Sequence, residues 1–296
     1  QFYQMTTQKP NFLIIGAARC GTTALYHYLK SHHEISMSDI KEPKYFSSIE
    51  MKFPHLGKGD LINDRARITS KTKYYNLFKD FNTKAIGEAS PDYLFYSKTT
   101  SKNILNELGS ETKIIIIIRD PIERAFSAYS HLVRDNRENL SFYNALMAEE
   151  SRKNNNYSFL WHYKEGGEYI RQIADFKSKF KNVLIISSEN FQKNKNDTLK
   201  KVCRFLGVNT DLNIDEKLKF NPVGKPKIFL VKFILRRDNE FSNLIRQSIN
   251  FILPNQFLQT ITSKFLTKSP IDIKSKEFLK NYYNSEINYM KSLENK

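Results

Sequence analysis

Five consecutive isoleucines, Ile114–Ile118, stand between Lys113 and Arg119 in a chain of 296 residues. Branching at Cβ favours extended backbone, and a run that is apolar on both faces fits a strand covered on both sides. Such strands lie in the middle of parallel sheets, whose neighbours are reached only through long, usually helical crossovers. The run therefore directs the chain towards an α/β architecture. The flanking sequence supplies matching pieces. Asn11–Ile15 is a short apolar run ending in Gly16, and Thr22–Ser31 carries Leu25, Tyr28 and Leu29 on one helical face. Ala85-Ile86-Gly87 is a weaker strand candidate. Val183–Ile186 reads as another buried strand, preceded by a helix through Ile170, Ile173, Phe176 and Phe180. Pro121 is placed for the first turn of a helix capped by Asp120, and the stripe Leu199, Val202, Cys203, Leu206 stops at Gly207. This alternation predicts a central, mostly parallel sheet flanked by helices. No internal repeat or long linker divides the chain, so a single domain over 1–296 is expected.

Composition narrows the class. A hydrophobic fraction of 40% and an aromatic fraction of 13% fill a core and exclude a disordered chain. Two cysteines exclude a disulfide scaffold or a four-thiolate zinc site. The apolar runs, Ile114–Ile118 and the Lys-interrupted Ile228–Leu235, are shorter than the roughly 18 residues of a membrane span. The chain opens on Gln1 without a signal-peptide pattern. Its expected location is cytoplasmic if it is near complete, or that of a lumenal catalytic domain if an upstream anchor has been removed. The formal charge of +16 leaves open an anionic partner, whether nucleic acid, an anionic membrane contacted peripherally, or a phosphorylated or sulfated small molecule, beside the plainer reading of a Lys-rich composition. Much of the excess follows Phe220, in Lys225-Pro226-Lys227, Lys232 and Arg236-Arg237, ahead of an amphipathic stretch through Leu279, Tyr282, Tyr283, Ile287, Met290 and Leu293. That stripe reads as a helix packed on the body.

The loop Gly16-Ala17-Ala18-Arg19-Cys20-Gly21-Thr22-Thr23 joins the first strand to the first helix. Small residues let its backbone N–H groups converge, and a helix N-terminus attracts an anion, so the segment reads as a phosphate cradle or as an ordinary Gly-rich turn. Its spacing matches the glycines of a P-loop, but Thr22-Thr23 stand where a nucleotide triphosphatase needs Lys and then Ser or Thr. The cation lies instead inside the loop, at Arg19.

Phe12 through Leu25 resembles the 5′-phosphosulfate loop of the sulfotransferases that use 3′-phosphoadenosine 5′-phosphosulfate (PAPS), with Arg19 where the family commonly has Lys. A second block, Ile114–Ile118 with Arg119, Asp120-Pro121, Arg124, Ala125, Ser127 and Tyr129, resembles the family's 3′-phosphate motif. Read from the residues alone, Arg119 emerges at the carboxyl end of a strand, where open α/β sheets bind ligands, and a guanidinium suits a phosphate. Between the blocks, Lys41-Glu42-Pro43-Lys44-Tyr45-Phe46 resembles the segment that carries the catalytic base in the carbohydrate, heparan-sulfate-type branch. Lys44 replaces a family His. Gly87 through Leu94 resembles the block lining the acceptor side, with Ala89 where glycosaminoglycan enzymes often have Lys, and Asn221–Lys227 resembles the late loop over the nucleotide.

The resemblance, closest to the carbohydrate and bacterial enzymes, covers about 9–227 as a core with the donor site and leaves 228–296 as a C-terminal helical part. It implies a P-loop-like, nucleotide-binding sulfotransferase fold and transfer of a sulfuryl group from PAPS to a hydroxyl or amine of a carbohydrate acceptor, leaving 3′,5′-adenosine bisphosphate. It implies Glu42 as base and Arg19 at the departing phosphate oxygen. The donor would be held by Arg19, Cys20, Gly21, Thr22, Thr23, Ala24, Arg119, Ser127 and Lys225, and the acceptor, anionic on account of Lys44, by Lys44 and Ser90. No metal is implied. A second reading of Glu42 is a surface carboxylate paired with Lys41 or Lys44. Cys20 as a nucleophile and His32-His33 as metal ligands lack partners at the required spacing. The alternatives are a P-loop phosphotransferase, opposed by the missing Lys after Gly21, and a basic nucleic-acid-binding protein, opposed by the lack of a DNA- or RNA-reading motif.

Overall fold

The computed structural model describes residues 8–211, 225–226, 266–267 and 270–294. The chain forms two compact units, each assembled from separate stretches. The first takes the described residues up to Met51, then Arg67–Arg119, then Tyr169 onward to Asp211. The second takes Lys52–Ala66, Asp120–Glu168 and the described residues from Lys225 on.

The first unit is built on a five-stranded parallel sheet of β1 (Phe12–Gly16), β2 (Ile35–Met37), β3 (Ala85–Ala89), β4 (Lys113–Ile118) and β5 (Val183–Ser187), in the order β2-β3-β1-β4-β5. Helices flank it: α1 (Thr22–Lys30), α2 (Tyr45–Ser48), α4 (Lys71–Tyr75), α5 (Asp92–Phe95), α6 (Ser97–Leu108), α10 (Tyr169–Lys177), α11 (Ser188–Lys193) and α12 (Lys195–Leu206). The isoleucine run forms β4, buried from Ile114 to Ile118 as its two apolar faces require. β5 differs from expectation. It lies at the end of the strand order and buries only Ile186 fully, because an edge strand has a neighbour on one side alone. β2, three residues long, carried no sequence signal and exists through its pairing with β3.

After β1 the chain turns to the β2 side of the sheet, whereas after β4 it turns to the β5 side. The carboxyl ends of β1 and β4 thus flank the topological switch point, where open α/β sheets bind their ligands. Gly16 ends β1 at φ +153°, and a Cβ there would lie 2.5 Å from the Cβ of Leu94 on α5. The loop after β1 can follow this path only without a side chain at that position.

The second unit contains α3 (Asp60–Arg65), α7 (Pro121–Arg134), α8 (Phe142–Met147), α9 (Glu149–Asn154), two short 3₁₀ turns, a two-residue ladder between Lys225-Pro226 and Leu266-Thr267, and the helices α13 (Ile273–Tyr282) and α14 (Asn284–Glu294). Asp120 caps α7 as expected, accepting from the N–H groups of Ile122 at 2.9 Å and Glu123 at 3.0 Å. The C-terminal stripe forms two helices rather than one, meeting at Tyr283, and it buries Leu279 and Tyr283 among Ile122, Leu132 and Tyr163. Tyr282 of that stripe is exposed instead. The basic stretch Lys232 and Arg236-Arg237, with Ile228–Leu235, lies outside the described residues. Among the described residues no helix is long and apolar enough to cross a membrane.

Gly16→Ala is expected to destabilise the protein by about 2–4 kcal/mol, combining overpacking against Leu94 with an unfavourable φ. Urea unfolding of the variant beside the parent measures this.

Candidate active site

The backbone of the Gly16–Thr23 loop is fixed at Ala17. Ala17 N–H donates to Ile117 O of β4 at 2.6 Å, and Cys20 N–H donates back to Ala17 O at 3.2 Å. Gly21 occupies the N-cap of α1 at φ 107°, where it supplies no capping side chain, and the first turn contains no acidic residue. The N–H groups of Thr22, Thr23 and Ala24 open α1 with the positive end of the helix dipole behind them, an arrangement suited to an anion. Arg19 sits inside the loop at φ 72°, partly buried. Arg119 follows β4 directly, so it and the Arg19 loop leave the carboxyl ends of two hydrogen-bonded neighbours.

Glu42 approaches the same edge from the other side of β1. Its N–H donates to the carbonyl of Ala89, the last residue of β3, at 3.1 Å. Glu42 and Lys44 both hold left-handed conformations, at φ 61° and 57°. Positive φ among described residues other than glycine occurs at only five positions, and two of these are asparagines, Asn136 and Asn156, which tolerate it. The other three are Arg19, Glu42 and Lys44, and strain of this kind gathers at ligand-binding sites. Glu42 is also an ion-pair partner: one carboxylate oxygen meets Lys41 Nζ, and the other lies 3.3 Å from Lys44 Nζ. Burial works against its charge, but the two ammonium groups outweigh that effect and hold the carboxyl at about 2.

A family model described as "Sulfotransferase domain" matches residues 9–232. The chain belongs to this sulfotransferase family. Human "Carbohydrate sulfotransferase 15" is 26% identical over 247 residues, which cover 67% of this chain and 44% of the relative. Mouse "Bifunctional heparan sulfate N-deacetylase/N-sulfotransferase 4" is 27% identical over 219 residues, 72% of this chain and 24% of that protein. The chain thus spans less than half the length of these relatives. Among solved structures, the sulfotransferase of Alicyclobacillus acidocaldarius matches with 31% identity and a TM-score of 0.66, covering 86% of this chain and 96% of the other. The parallel sheet with its flanking helices is therefore the nucleotide-binding sulfotransferase fold.

In this sulfotransferase domain the remaining sequence-derived candidates occupy varied surroundings. Cys20 is buried, its Sγ 3.7 Å from the hydroxyl of Tyr169. Ser90 is fully buried, and its hydroxyl accepts from Lys44 N–H at 3.0 Å while donating to Glu88 Oε2 at 2.8 Å. Ser127 is buried on α7, in the second unit. Lys225 pairs its backbone with Thr267, and the rest of the Asn221–Lys227 loop, Pro226 excepted, lies outside the described residues. His32 has its ring taken up by backbone, accepting from Glu34 N–H at 3.1 Å and meeting Asn209 O at 2.9 Å. Among the described residues no group of three His, Cys, Asp or Glu side chains is arranged to hold a metal ion.

Glu88, which lies in the block likened to the acceptor side but received no role of its own from the sequence, is a carboxyl on β3 with no exposure. Burial raises it to about 8, against hydrogen bonds from Tyr93, Ser90 and Tyr74 and with the nearby charge of Asp92 adding to the rise. The one signal available was an acidic residue inside an otherwise apolar strand, Ala85–Ala89. Between about 4.5 and 8 the native state retains a proton that the unfolded state has released. This contribution to stability is complete at low pH and is lost as the pH rises through that window. Glu88→Gln should remove it. Relative to the parent, the variant is expected to gain unfolding free energy between pH 5 and pH 8, read from urea midpoints; a pH-independent difference would contradict the assignment.

Proposed function

We propose that the chain transfers a sulfuryl group from PAPS to a hydroxyl or amine of a carbohydrate acceptor, residues 1–296 acting as a single sulfotransferase domain. The observation that carries this reading is the order of groups along the carboxyl edge of the sheet. Glu42 is tied to the end of β3, Arg19 follows β1, and Arg119 follows β4, with β1 in the middle. That order, base, then 5′-phosphate loop, then a further phosphate ligand, matches the order of acceptor, sulfate, 5′-phosphate and 3′-phosphate in the reactants. The open N-terminus of α1, free of acidic residues in its first turn, and the two guanidinium groups fit a donor with two phosphate sites.

In this reading the turn Cys20-Gly21-Thr22-Thr23-Ala24 holds the 5′-phosphate through the backbone N–H groups of Gly21 to Ala24, the N–H of Cys20 being taken up by Ala17 O. Arg119 binds the 3′-phosphate, and the likeness of its motif to the family's assigns Ser127 to the same group. The likeness of Asn221–Lys227 to a nucleotide-contacting segment of the family assigns Lys225 to the donor. The acceptor oxygen or nitrogen forms a bond to sulfur while the bond from sulfur to the bridging phosphate oxygen breaks. Glu42 takes the acceptor proton, and Arg19 stabilises the electron pair left on the phosphate oxygen.

A carboxylate held at about 2 is ionised at neutral pH but weakly basic. An anionic acceptor group that draws Lys41 or Lys44 away from Glu42 raises its basicity at the moment of transfer. Pairing with lysine and service as a base are thus two states of one residue.

Thermal stabilisation by 3′,5′-adenosine bisphosphate is expected to exceed that by ATP with magnesium, since preferential binding to the native state raises the melting temperature. Equal or greater stabilisation by ATP would favour phosphoryl transfer instead. Glu42→Gln should retain the bisphosphate affinity and lose transfer by two or more orders of magnitude, roughly the contribution of a general base. Turnover of labelled PAPS against a glycan panel measures it.

A further inference from the structure

α2 is only four residues long, and its N-cap, Lys44, is in the left-handed region with no side chain capping it. Its first backbone N–H groups therefore need partners from elsewhere. Two hydroxyls supply them. Lys44 N–H donates to Ser90 Oγ at 3.0 Å, and Phe46 N–H donates to the hydroxyl of Tyr93 at 3.3 Å. A hydroxyl has one proton, and where that proton goes decides which way its lone pairs face. Both hydroxyls are joined to one carboxyl group: Ser90 Oγ donates to Glu88 Oε2 at 2.8 Å, and Tyr93 also hydrogen-bonds the Glu88 side chain. The hydroxyl of Tyr74 lies 3.4 Å from Glu88 Oε1, and its ring stacks on Tyr45 with centroids 4.5 Å apart. Glu88, Ser90, Tyr93 and Tyr74 have no exposure, so water does not compete for these bonds.

We propose that Glu88 is a positioning residue which, through the hydroxyls of Ser90 and Tyr93, fixes the backbone N–H groups of Lys44 and Phe46 and so sets the strained turn that presents Glu42. The importance of that turn rests on the reading of Glu42 as the base. Ser90 then bears on the acceptor side through the backbone of Lys44. The body of α2 is anchored separately, by Ser47 Oγ donating to Asp92 Oδ2 at 2.7 Å and by Arg67 Nη1 bridging to the same oxygen at 3.0 Å. Removing Glu88 therefore releases the turn before it releases the helix. Once freed, Glu42 and Lys44 relax from positive φ, and the Lys44 ammonium leaves the Glu42 carboxylate.

The test is the carboxyl titration of Glu42, followed by carbon-13 NMR and assigned by the resonance lost in Glu42→Gln. In Ser90→Ala and in Glu88→Leu, which has no acceptor oxygen, the Glu42 titration should move up from about 2 towards 4.5, while Ser90→Thr, which keeps the hydroxyl, restores the parent value. Circular dichroism checks that each variant is folded, and Tyr93→Phe, which removes the second bridge without changing volume, tests the same route should Ser90→Ala not fold. A folded Ser90→Ala or Tyr93→Phe and a folded Glu88→Leu with the parent titration would overturn the proposal. The measurement needs neither donor nor acceptor. Failure of the bisphosphate to bind would strike the transferase reading alone. Where transfer is measured, kcat should fall on the order of tenfold to a hundredfold with bisphosphate affinity unchanged, the signature of a displaced group rather than a lost binding site.

Discussion

The main-chain pairing of β1 with β3 on one side and β4 on the other aligns everything else in the site. Phe12 is in register with Gly87 and with Lys113, so three parallel strands reach the same edge together. Parallel pairing puts all three carboxyl ends on one side, and each end delivers a different group: the Glu42 contact at Ala89, the Arg19 loop, and Arg119. A one-residue slip of any strand would turn its side chains to the opposite face and break this alignment.

Against that rigid sheet, conformational strain is localised. Arg19, Glu42 and Lys44 are held at positive φ by neighbouring hydrogen bonds rather than by their own preference. The electrostatics follow the same division. Glu42, partly exposed between two lysines, is driven down to about 2, whereas Glu88, buried among hydroxyls, is driven up to about 8. Two glutamates in successive layers of one site thus have opposite protonation tendencies, set by burial and by the sign of the nearest charge.

Much of the local structure was legible from short-range chemistry. The isoleucine run, the Gly16–Thr23 loop, the Asp120-Pro121 helix start and the Gly207 stop all behave as their residue types require, Gly207 adopting φ 79° at the end of α12. The exposure of β5, the three-residue β2 and the division of the C-terminal stripe at Tyr283 were not legible, because each depends on which element lies alongside.

The sequence by itself determined the kinds of group available: a phosphate-suited loop, an arginine at a strand end, a glutamate between lysines. Helix caps, β-branching and glycine conformations act within a few residues, and they are written directly into the chain. Only the tertiary structure decided how those groups are ordered along the sheet edge, and that Ser90, read as an acceptor ligand, spends its hydroxyl on Lys44 and Glu88. The same holds for Glu88, whose ionisation is set by side chains as far as fourteen residues away in sequence. Strand order and burial arise from long-range packing, and a carboxyl group's charge depends on what surrounds it, which no local pattern of residues specifies.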